Sequence, residues 1–220
     1  MKTDLIKGRL GRLKQLGTLL IYLAMVLIFT LLKPNYLTLT NFRSILIQAA
    51  MLGIISSGMT LVMMTGGVDM SVGAVAGVST LAGMWPVVFD ELPLAVGILI
   101  ALGIALAFGL INVICISRLG IAPFVATLGT MFLAQGLQYL FSEGGMSISY
   151  GFPATYKFLG SGSLGPFPMP LVLFLVLLAA LVLATEYAPA GRYLRGTGLN
   201  QFASELSGVK IRSFTLLSYV

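Results

Sequence analysis

Residues 65–73 read Thr-Gly-Gly-Val-Asp-Met-Ser-Val-Gly and interrupt an apolar run that extends from about residue 45 to residue 89. A helix needs about 20 residues to cross the hydrocarbon core of a bilayer, so this run holds two spans or one broken span. Adjacent glycines at Gly66 and Gly67 weaken a helix and permit backbone angles that other residues avoid. Asp69 can then accept hydrogen bonds from the amides that open the next helix. The stretch predicts a helix break at the two glycines and a new helix that starts near Asp69.

The composition of the chain is that of an integral membrane protein. Of its 220 residues, 58% are hydrophobic and 9% are charged, and the mean hydropathy is +1.01. Ordinary globular chains carry about 25% charged residues. The net charge of +6 does not indicate nucleic acid, because the basic residues lie at the ends of apolar segments rather than in a patch with interleaved aromatics. We therefore expect a lipid bilayer, and no nucleic acid, around this chain.

The sequence offers little for catalysis or metal binding. It has no histidine and a single cysteine, Cys115, which predicts no metal site and no Ser-His or Cys-His nucleophile. It also lacks the Gly-x4-Gly-Lys-Ser/Thr phosphate loop, so any ATP chemistry has to come from another subunit. We expect no enzyme activity and no cofactor.

The apolar segments predict an all-α polytopic membrane bundle with about six complete transmembrane helices. The spans are expected at about residues 17–32, 44–64, 69–88, 94–116, 121–141 and 171–185. Residues 214–220 begin a seventh apolar segment, and seven residues make only about 10 Å of helix. The prediction is a basic amphipathic helix over residues 1–16, without a signal-peptide cleavage site, followed by a transmembrane domain that is incomplete at its C-terminus.

The basic residues predict which side of the membrane each loop occupies. Ten of the 13 Lys and Arg residues fall in residues 1–16, at Arg118 or in residues 186–212, which alternating spans place on one side. The positive-inside rule makes that side, and the N-terminus, cytoplasmic. Residues 142–170, rich in Gly, Ser and Pro, then form an external loop, with or without a short hairpin. The loop is either a contact for a binding protein or a plain connector.

Small residues recur every four positions in two of the predicted spans. Such stripes permit close contact between membrane helices. The second span carries Ala49, Gly53 and Ser57, and the fourth carries Gly97, Ala101, Ala105 and Gly109. We interpret the stripe in the fourth span as a packing seam rather than a substrate groove.

Several polar side chains lie within the apolar spans. An aspartate at the centre of a span costs about 2.5 to 3.5 kcal/mol, so Asp69 is expected at an interface, in a cavity or against a partner. Amides can either hydrogen-bond an uncharged cargo or join two helices, and both interpretations stay open. The candidate pathway residues are Gln48, Asp69, Ser71, Asn112, Thr127, Gln135 and Gln138.

Two stretches of the sequence, residues 65–73 and residues 112–130, resemble a known family. Residues 65–73 resemble the Thr-Gly-Gly-Ile-Asp-Leu-Ser-Val-Gly signature of permease subunits in bacterial ABC importers for ribose, xylose, galactose and related molecules, including autoinducer-2. Asn112 with residues 121–130 resembles the family's Asn-Gly followed by Pro-Pro-Phe-Ile-x-Thr-Leu-Gly. The chain departs from that pattern at Val113, Ala122 and Gln135, where the family has glycine, proline and often arginine.

A third stretch carries the resemblance into the predicted cytoplasmic loop. Residues 191–193 and 200–209 resemble the family's Gly-Arg-Tyr and Asn-Glu-Glu-Ala-Ala-Arg-Leu-Ser-Gly-Ile. The resemblance implies a short helix that docks on an ATP-binding subunit. Gly208 suits the C-cap of that helix, and Phe202, which stands where the family has glutamate, suits an apolar anchor beside a small face. The alternative is a membrane-surface helix between spans. The implied coupling residues are Gly191, Arg192, Asn200, Phe202, Ala203, Ser204, Leu206 and Gly208, with Ala203 and Ser204 as the small face.

The resemblance implies the transmembrane subunit of an importer in the bacterial inner membrane, carrying a monosaccharide or similar polyhydroxylated molecule. Two permeases, either two copies or a copy and a paralogue, would pair around the pathway. Two ATP-binding subunits and an external substrate-binding protein would complete the assembly. The alternative is an ion-coupled secondary transporter with a discontinuous helix and Asp69 as its ion or proton site.

Overall fold

The computed structural model describes residues 2–142 and 151–220, with side chains from residue 17 onward. Helices dominate, and the only strands in the described ranges form one hairpin of two strands, each two residues long. The elements are α1 Lys2–Leu32, α2 Leu39–Met64, α3 Val72–Phe89, α4 Leu94–Ser117, α5 Pro123–Phe141, α6 Ala154–Ser161, β1 Ser163–Leu164, β2 Phe167–Pro168, α7 Met169–Val182, α8 Pro189–Leu199, α9 Gln201–Leu206 and α10 Ile211–Tyr219. A π-helical turn, Leu183–Tyr187, continues α7.

The predicted class, a polytopic helical membrane protein, is confirmed. Within the described ranges, five helices are long and apolar enough to cross a bilayer, namely α2, α3, α4, α5 and Met169–Tyr187. Gly17–Leu32, within α1, is a shorter apolar helix of about 24 Å at 1.5 Å per residue. The third span begins at Val72 rather than near Asp69, because residues 65–71 are irregular and hydrogen-bond to neighbouring helices.

The chain forms two compact units, Met1–Leu46 and Ile47–Val220. In the first unit, the turn between α1 and α2 is fixed by local contacts. Asn41 donates its side-chain amide to the Tyr36 carbonyl at 2.7 Å, and the Asn41 backbone N–H donates to Thr38 Oγ1 at 3.3 Å. Phe29 stacks on Tyr36 with ring centroids 5.7 Å apart. The hydroxyl of Thr38 therefore caps the start of α2.

The second unit is built around α3, α4 and α5. Val78, Phe108 and Ala134, one from each helix, form a buried apolar cluster. A Cβ added to Gly97 would lie 2.5 Å from the Gly83 carbonyl oxygen, so α3 and α4 meet backbone to backbone. The packing seam predicted along α4 is confirmed at this crossing.

The two long polar segments each contain a helix that the sequence did not indicate. The described part of the predicted external loop contains α6 and a hairpin in which Ser163 pairs with Pro168, while residues 143–150 lie outside the described residues. Residues 186–212 contain α8 as well as the expected short helix α9. The sequence did not reveal α8 because three glycines in eleven residues lower its helix propensity. Tertiary packing of Leu194 and Thr197, both buried, compensates.

Candidate functional site

Residues 65–71, which we call the α2–α3 connection, follow Met64, the last residue of α2. Gly66 has a φ of +79°. Its N–H donates to the Met63 carbonyl at 3.0 Å, and the N–H of Gly67 donates to the Val62 carbonyl at 3.2 Å. These two bonds form a Schellman motif with Gly66 at C′, a position that favours glycine. Gly67 is buried, and an added Cβ would overlap the hydroxyl of Tyr219. The two glycines at the predicted break are therefore required for different reasons, Gly66 for its positive φ and Gly67 for its close contact with Tyr219.

Asp69 is half-buried in the connection, outside any helix. Its Oδ1 accepts hydrogen bonds from the Ser71 N–H at 2.7 Å and the Ser71 hydroxyl at 2.6 Å. Ser71, not Asp69, is the N-cap residue of α3. The expectation that Asp69 would cap the next helix is thus corrected: its carboxylate orders the turn that precedes α3.

A chain of side-chain hydrogen bonds joins this carboxylate to α4 and α5. Thr130 donates to Asn112 Oδ1 at 2.7 Å, and Asn112 Nδ2 donates to the Ser71 hydroxyl at 3.1 Å. Ser71 in turn donates to Asp69. Ser71 and Asn112 are each 1% exposed. All three donors point toward the carboxylate, so each bond polarises the next one.

Thr127 fastens the connection to α5 by a second route. Its side chain is fully buried, its hydroxyl accepts from the Met70 N–H at 3.1 Å, and the hydroxyl donates to the Pro123 carbonyl at 2.9 Å. On the other side, the Tyr219 hydroxyl donates to the Val68 carbonyl at 3.3 Å. The connection therefore has side-chain partners on α4, α5 and α10.

The structure brings together four of the seven candidate pathway residues, Asp69, Ser71, Asn112 and Thr127. The three glutamines lie elsewhere. Gln48 and Gln135 are exposed on α2 and α5, and Gln138 is half-buried with its Oε1 against Gly77 of α3. The buried hydroxyls and amide of the cluster are used by internal hydrogen bonds, so their role in this conformation is to hold the connection.

Sequence reasoning missed four members of the cluster. Thr65, Ser218 and Tyr219 make hydrogen bonds in or to the connection, and Thr130 hydrogen-bonds to Asn112, which in turn contacts Ser71. Thr130 had a usable signal, since it follows Thr127 by three residues and shares its helix face. No local pattern marks Ser218 or Tyr219, which are 151 to 153 residues away from their partners.

We expect Asn112→Ala to destabilise the second unit by about 1 to 3 kcal/mol, because the buried hydroxyls of Ser71 and Thr130 each lose a partner. Thermal unfolding of the purified protein in detergent measures the effect. Asn35→Ala is the matched control, since Asn35 is exposed in the first unit. Equal midpoints for the two variants would show that the Asn112 bridge contributes nothing to stability.

The second candidate region is α9 with its caps. Asn200 Oδ1 accepts from the Ala203 N–H at 2.9 Å and caps the start of the helix. Gly208 has a φ of +81°. Its N–H donates to the Glu205 carbonyl at 2.9 Å while the Val209 N–H donates to the Ser204 carbonyl at 3.0 Å. This is a second Schellman motif, so a six-residue helix is held at both ends.

The residues implied in coupling divide into exposed and buried sets. Phe202 and Leu206 are 72% and 76% exposed. Arg192, Asn200, Ala203 and Gly208 are exposed as well. Ser204 is buried, with its hydroxyl against Gly196 of α8, so the expected small face of Ala203 and Ser204 is reduced to Ala203. Gly191 is also buried, because α8 packs there against the Thr185 backbone.

Comparison with known proteins assigns the chain to a family. The family described as "branched-chain amino acid transport system / permease component" matches residues 41–220. The chain belongs to this permease family. It is 31% identical, over 95% of its length, to the ribose import permease protein RbsC of Bacillus subtilis (strain 168), of which it covers 65%. It is 36% identical, over 80% of its length, to the galactofuranose transporter permease protein YtfT of Escherichia coli (strain K12), of which it covers 51%.

A third relative of this permease is the galactose/methyl galactoside import permease protein MglC of Escherichia coli (strain K12), at 30% identity over 97% of the chain and 68% of the relative. No solved structure matches the chain significantly. The resemblance to permeases of monosaccharide ABC importers is confirmed. The permease is a multi-pass membrane protein, and it spans between half and two thirds of the length of the first two relatives.

Proposed function

We propose that this permease is the transmembrane subunit of a binding-protein-dependent ABC importer that passes a monosaccharide, or a similar polyhydroxylated molecule, into the cytoplasm. The observation that carries the proposal is α9, a helix capped at both ends that exposes Phe202 and Leu206. A subunit driven by a separate ATPase needs a rigid element where movement enters. The relatives named for import of ribose and galactose support the cargo class.

The surface of α9 suits a protein partner. Phe202 and Leu206 are four residues apart, so they lie on one helix face, and a large exposed aromatic side chain is a typical interface anchor. Residues 186–212 carry four basic residues and two acidic ones. By the positive-inside rule, this segment and the N-terminal residues 1–16 are cytoplasmic, and residues 142–170 are external. The ATP-binding subunit then docks on α9 from the cytoplasm.

The pathway lies between this chain and a second permease, either another copy or a paralogue. Gln48 and Gln135 support this arrangement because they are exposed amides on membrane helices, and amides in a span seek hydrogen-bond partners. Uncharged amides also suit a neutral hydroxylated cargo delivered by an external binding protein. The buried cluster around Asp69 supports the fold of the pathway rather than the cargo.

The docking surface can be tested by co-purification with the ATP-binding subunit encoded at the same locus. We expect the double variant Phe202→Ala, Leu206→Ala to weaken binding of that subunit at least about thirtyfold, because loss of even one anchor side chain typically costs about 2 kcal/mol. Leu175→Ala is the control, since Leu175 is similarly exposed, but on the membrane helix α7. Retention of the ATP-binding subunit by the double variant would overturn the docking assignment.

Uptake into proteoliposomes separates the importer from the ion-coupled carrier. We expect sugar uptake to require ATP and the binding protein, and to persist without a sodium or proton gradient. Uptake that follows an ion gradient and is lost in Asp69→Asn would support the carrier. The described residues show Asp69 bonded to Ser71, which favours the importer.

A further inference from the structure

The end of α8 touches the end of α2 through backbone atoms. A Cβ added to Gly198 would overlap the carbonyl oxygen of Met64 and lie 3.1 Å from the Gly66 nitrogen. A Cβ added to Gly66 would lie 3.6 Å from the Gly198 Cα. Gly198 precedes Asn200, the N-cap of α9, by two residues. The backbone immediately before the docking helix therefore rests on the α2–α3 connection.

The helix that follows α9 reaches the same connection from another side. The hydroxyl of Ser218, in α10, lies 3.3 Å from the Thr65 hydroxyl. The hydroxyl of Tyr219, also in α10, donates to the Val68 carbonyl at 3.3 Å. The backbone of Tyr219 also packs against Gly109 of α4, where an added Cβ would overlap the Tyr219 carbonyl. Both neighbours of α9 in the chain thus converge on residues 65–71.

These contacts suit the transmission of movement. Close-packed backbone atoms cannot be compressed, so a displacement of α8 displaces the connection. Residues 67–71 lie outside any helix. They are bonded instead to Asn112 and Thr127 of the membrane helices. A shift that enters at α9 therefore reaches α4 and α5 through the hydrogen bonds of Ser71 with Asn112 and of Met70 with Thr127.

We propose that Gly198 and Tyr219 are positioning residues that fasten the α2–α3 connection to α9, so that α8, α9, α10 and the connection move as one body during transport. This inference rests on the proposed importer function. It predicts that disturbing either contact uncouples ATP hydrolysis from uptake, and that docking of the ATP-binding subunit is unchanged where only the Tyr219 hydrogen bond is lost. It also predicts that a covalent link between α10 and the connection is tolerated.

The loosening arm uses Tyr219→Phe and Gly198→Ala in the full-length permease, reconstituted with its ATP-binding subunit and binding protein. We expect both variants to move less sugar per ATP hydrolysed. In Tyr219→Phe the fall should be about two- to tenfold, the size that loss of one hydrogen bond produces, with wild-type docking. The controls are Tyr187→Phe, at an exposed tyrosine, and Gly58→Ala, where an added Cβ has open space. Tyr219→Phe removes only a hydroxyl, so the test stands if Gly198→Ala fails to fold.

The locking arm uses Thr65→Cys with Ser218→Cys after replacement of the single native cysteine, Cys115→Ala. We expect the oxidised protein to retain the wild-type ratio of uptake to ATP hydrolysis, and the disulfide to restore that ratio in Tyr219→Phe. Loss of uptake on oxidation, reversed by a reductant, would show that α10 and the connection separate during the cycle and would overturn the proposal.

The experiments distinguish failure of the proposed function from failure of the positioning role. If the wild-type protein neither binds an ATP-binding subunit nor shows ATP-dependent uptake, the proposed function fails and the inference fails with it. If the wild type does both and the Tyr219→Phe and Gly198→Ala variants match their controls in sugar moved per ATP, only the positioning role is wrong.

Discussion

Gly97→Leu is expected to abolish the packed helical fold of the second unit. A Cβ at this position would lie 2.5 Å from both the Gly83 carbonyl oxygen and a methyl group of Val87. The first neighbour is backbone, so it cannot rotate away, and α3 and α4 would have to separate. Overpacking of a core typically costs 1 to 3 kcal/mol, and we expect about 3 kcal/mol or more here because two helix backbones are in contact. The measurements are the monodisperse yield in detergent and the thermal midpoint.

A control on the same helix isolates the cause. Gly103→Leu introduces the same side chain into α4, where an added Cβ meets nothing within 4 Å. Leucine is a good helix former, so both variants gain the same helix propensity and the same hydrophobicity. We expect Gly103→Leu to keep the wild-type yield. Similar behaviour of the two variants would mean that the seam between α3 and α4 does not limit stability.

This seam shows what the sequence could predict about the fold. Spans are long apolar runs, and small residues at four-residue intervals mark close helix contacts, so both features are written locally in the chain. The helix α8 was not predicted because its helix propensity is weak and its stability comes from burial of Leu194 and Thr197. Packing that overrides propensity cannot be seen without the partner helix.

The candidate site was less accessible to sequence reasoning for a related reason. Ser71, Asn112 and Thr127 were selected because polar side chains in apolar spans need partners, and the structure shows those partners to be one another or the nearby backbone. Hydrogen bonds between Met70 and Thr127, or between Val68 and Tyr219, join residues 57 and 151 positions apart. Spacing along the chain carries no information about such pairs.

Asp69 illustrates the difference. An aspartate in an apolar run is expensive if it is centred in a span, which made it a candidate ion or cargo site. The structure places it in a connection, where one carboxylate oxygen accepts two hydrogen bonds from Ser71. Local turn chemistry, supported by a buried hydrogen-bond network, accounts for the position of this carboxylate.

Gly191→Ala is expected to weaken docking of the ATP-binding subunit through the fold and not through a lost contact. Gly191 is buried, and an added Cβ would overlap the Thr185 carbonyl oxygen at the π-helical turn that ends α7. That carbonyl also accepts from Arg195 Nη2 at 2.9 Å, and Arg195 pairs with Glu186 at 2.5 Å. The alanine methyl would therefore push α8 away from the turn and strain both Arg195 contacts, at a cost of about 3 kcal/mol.

The neighbouring residue separates the two explanations. Arg192 is exposed, so Arg192→Ala should leave the thermal midpoint unchanged and reduce docking only if the guanidinium touches the ATP-binding subunit. Gly191→Ala should lower the midpoint and docking together, because displacement of α8 carries Asn200 and α9 with it. A Gly191→Ala variant with a wild-type midpoint and no docking would instead place the Gly191 backbone at the interface itself, and α8 would then be part of the docking surface rather than its support.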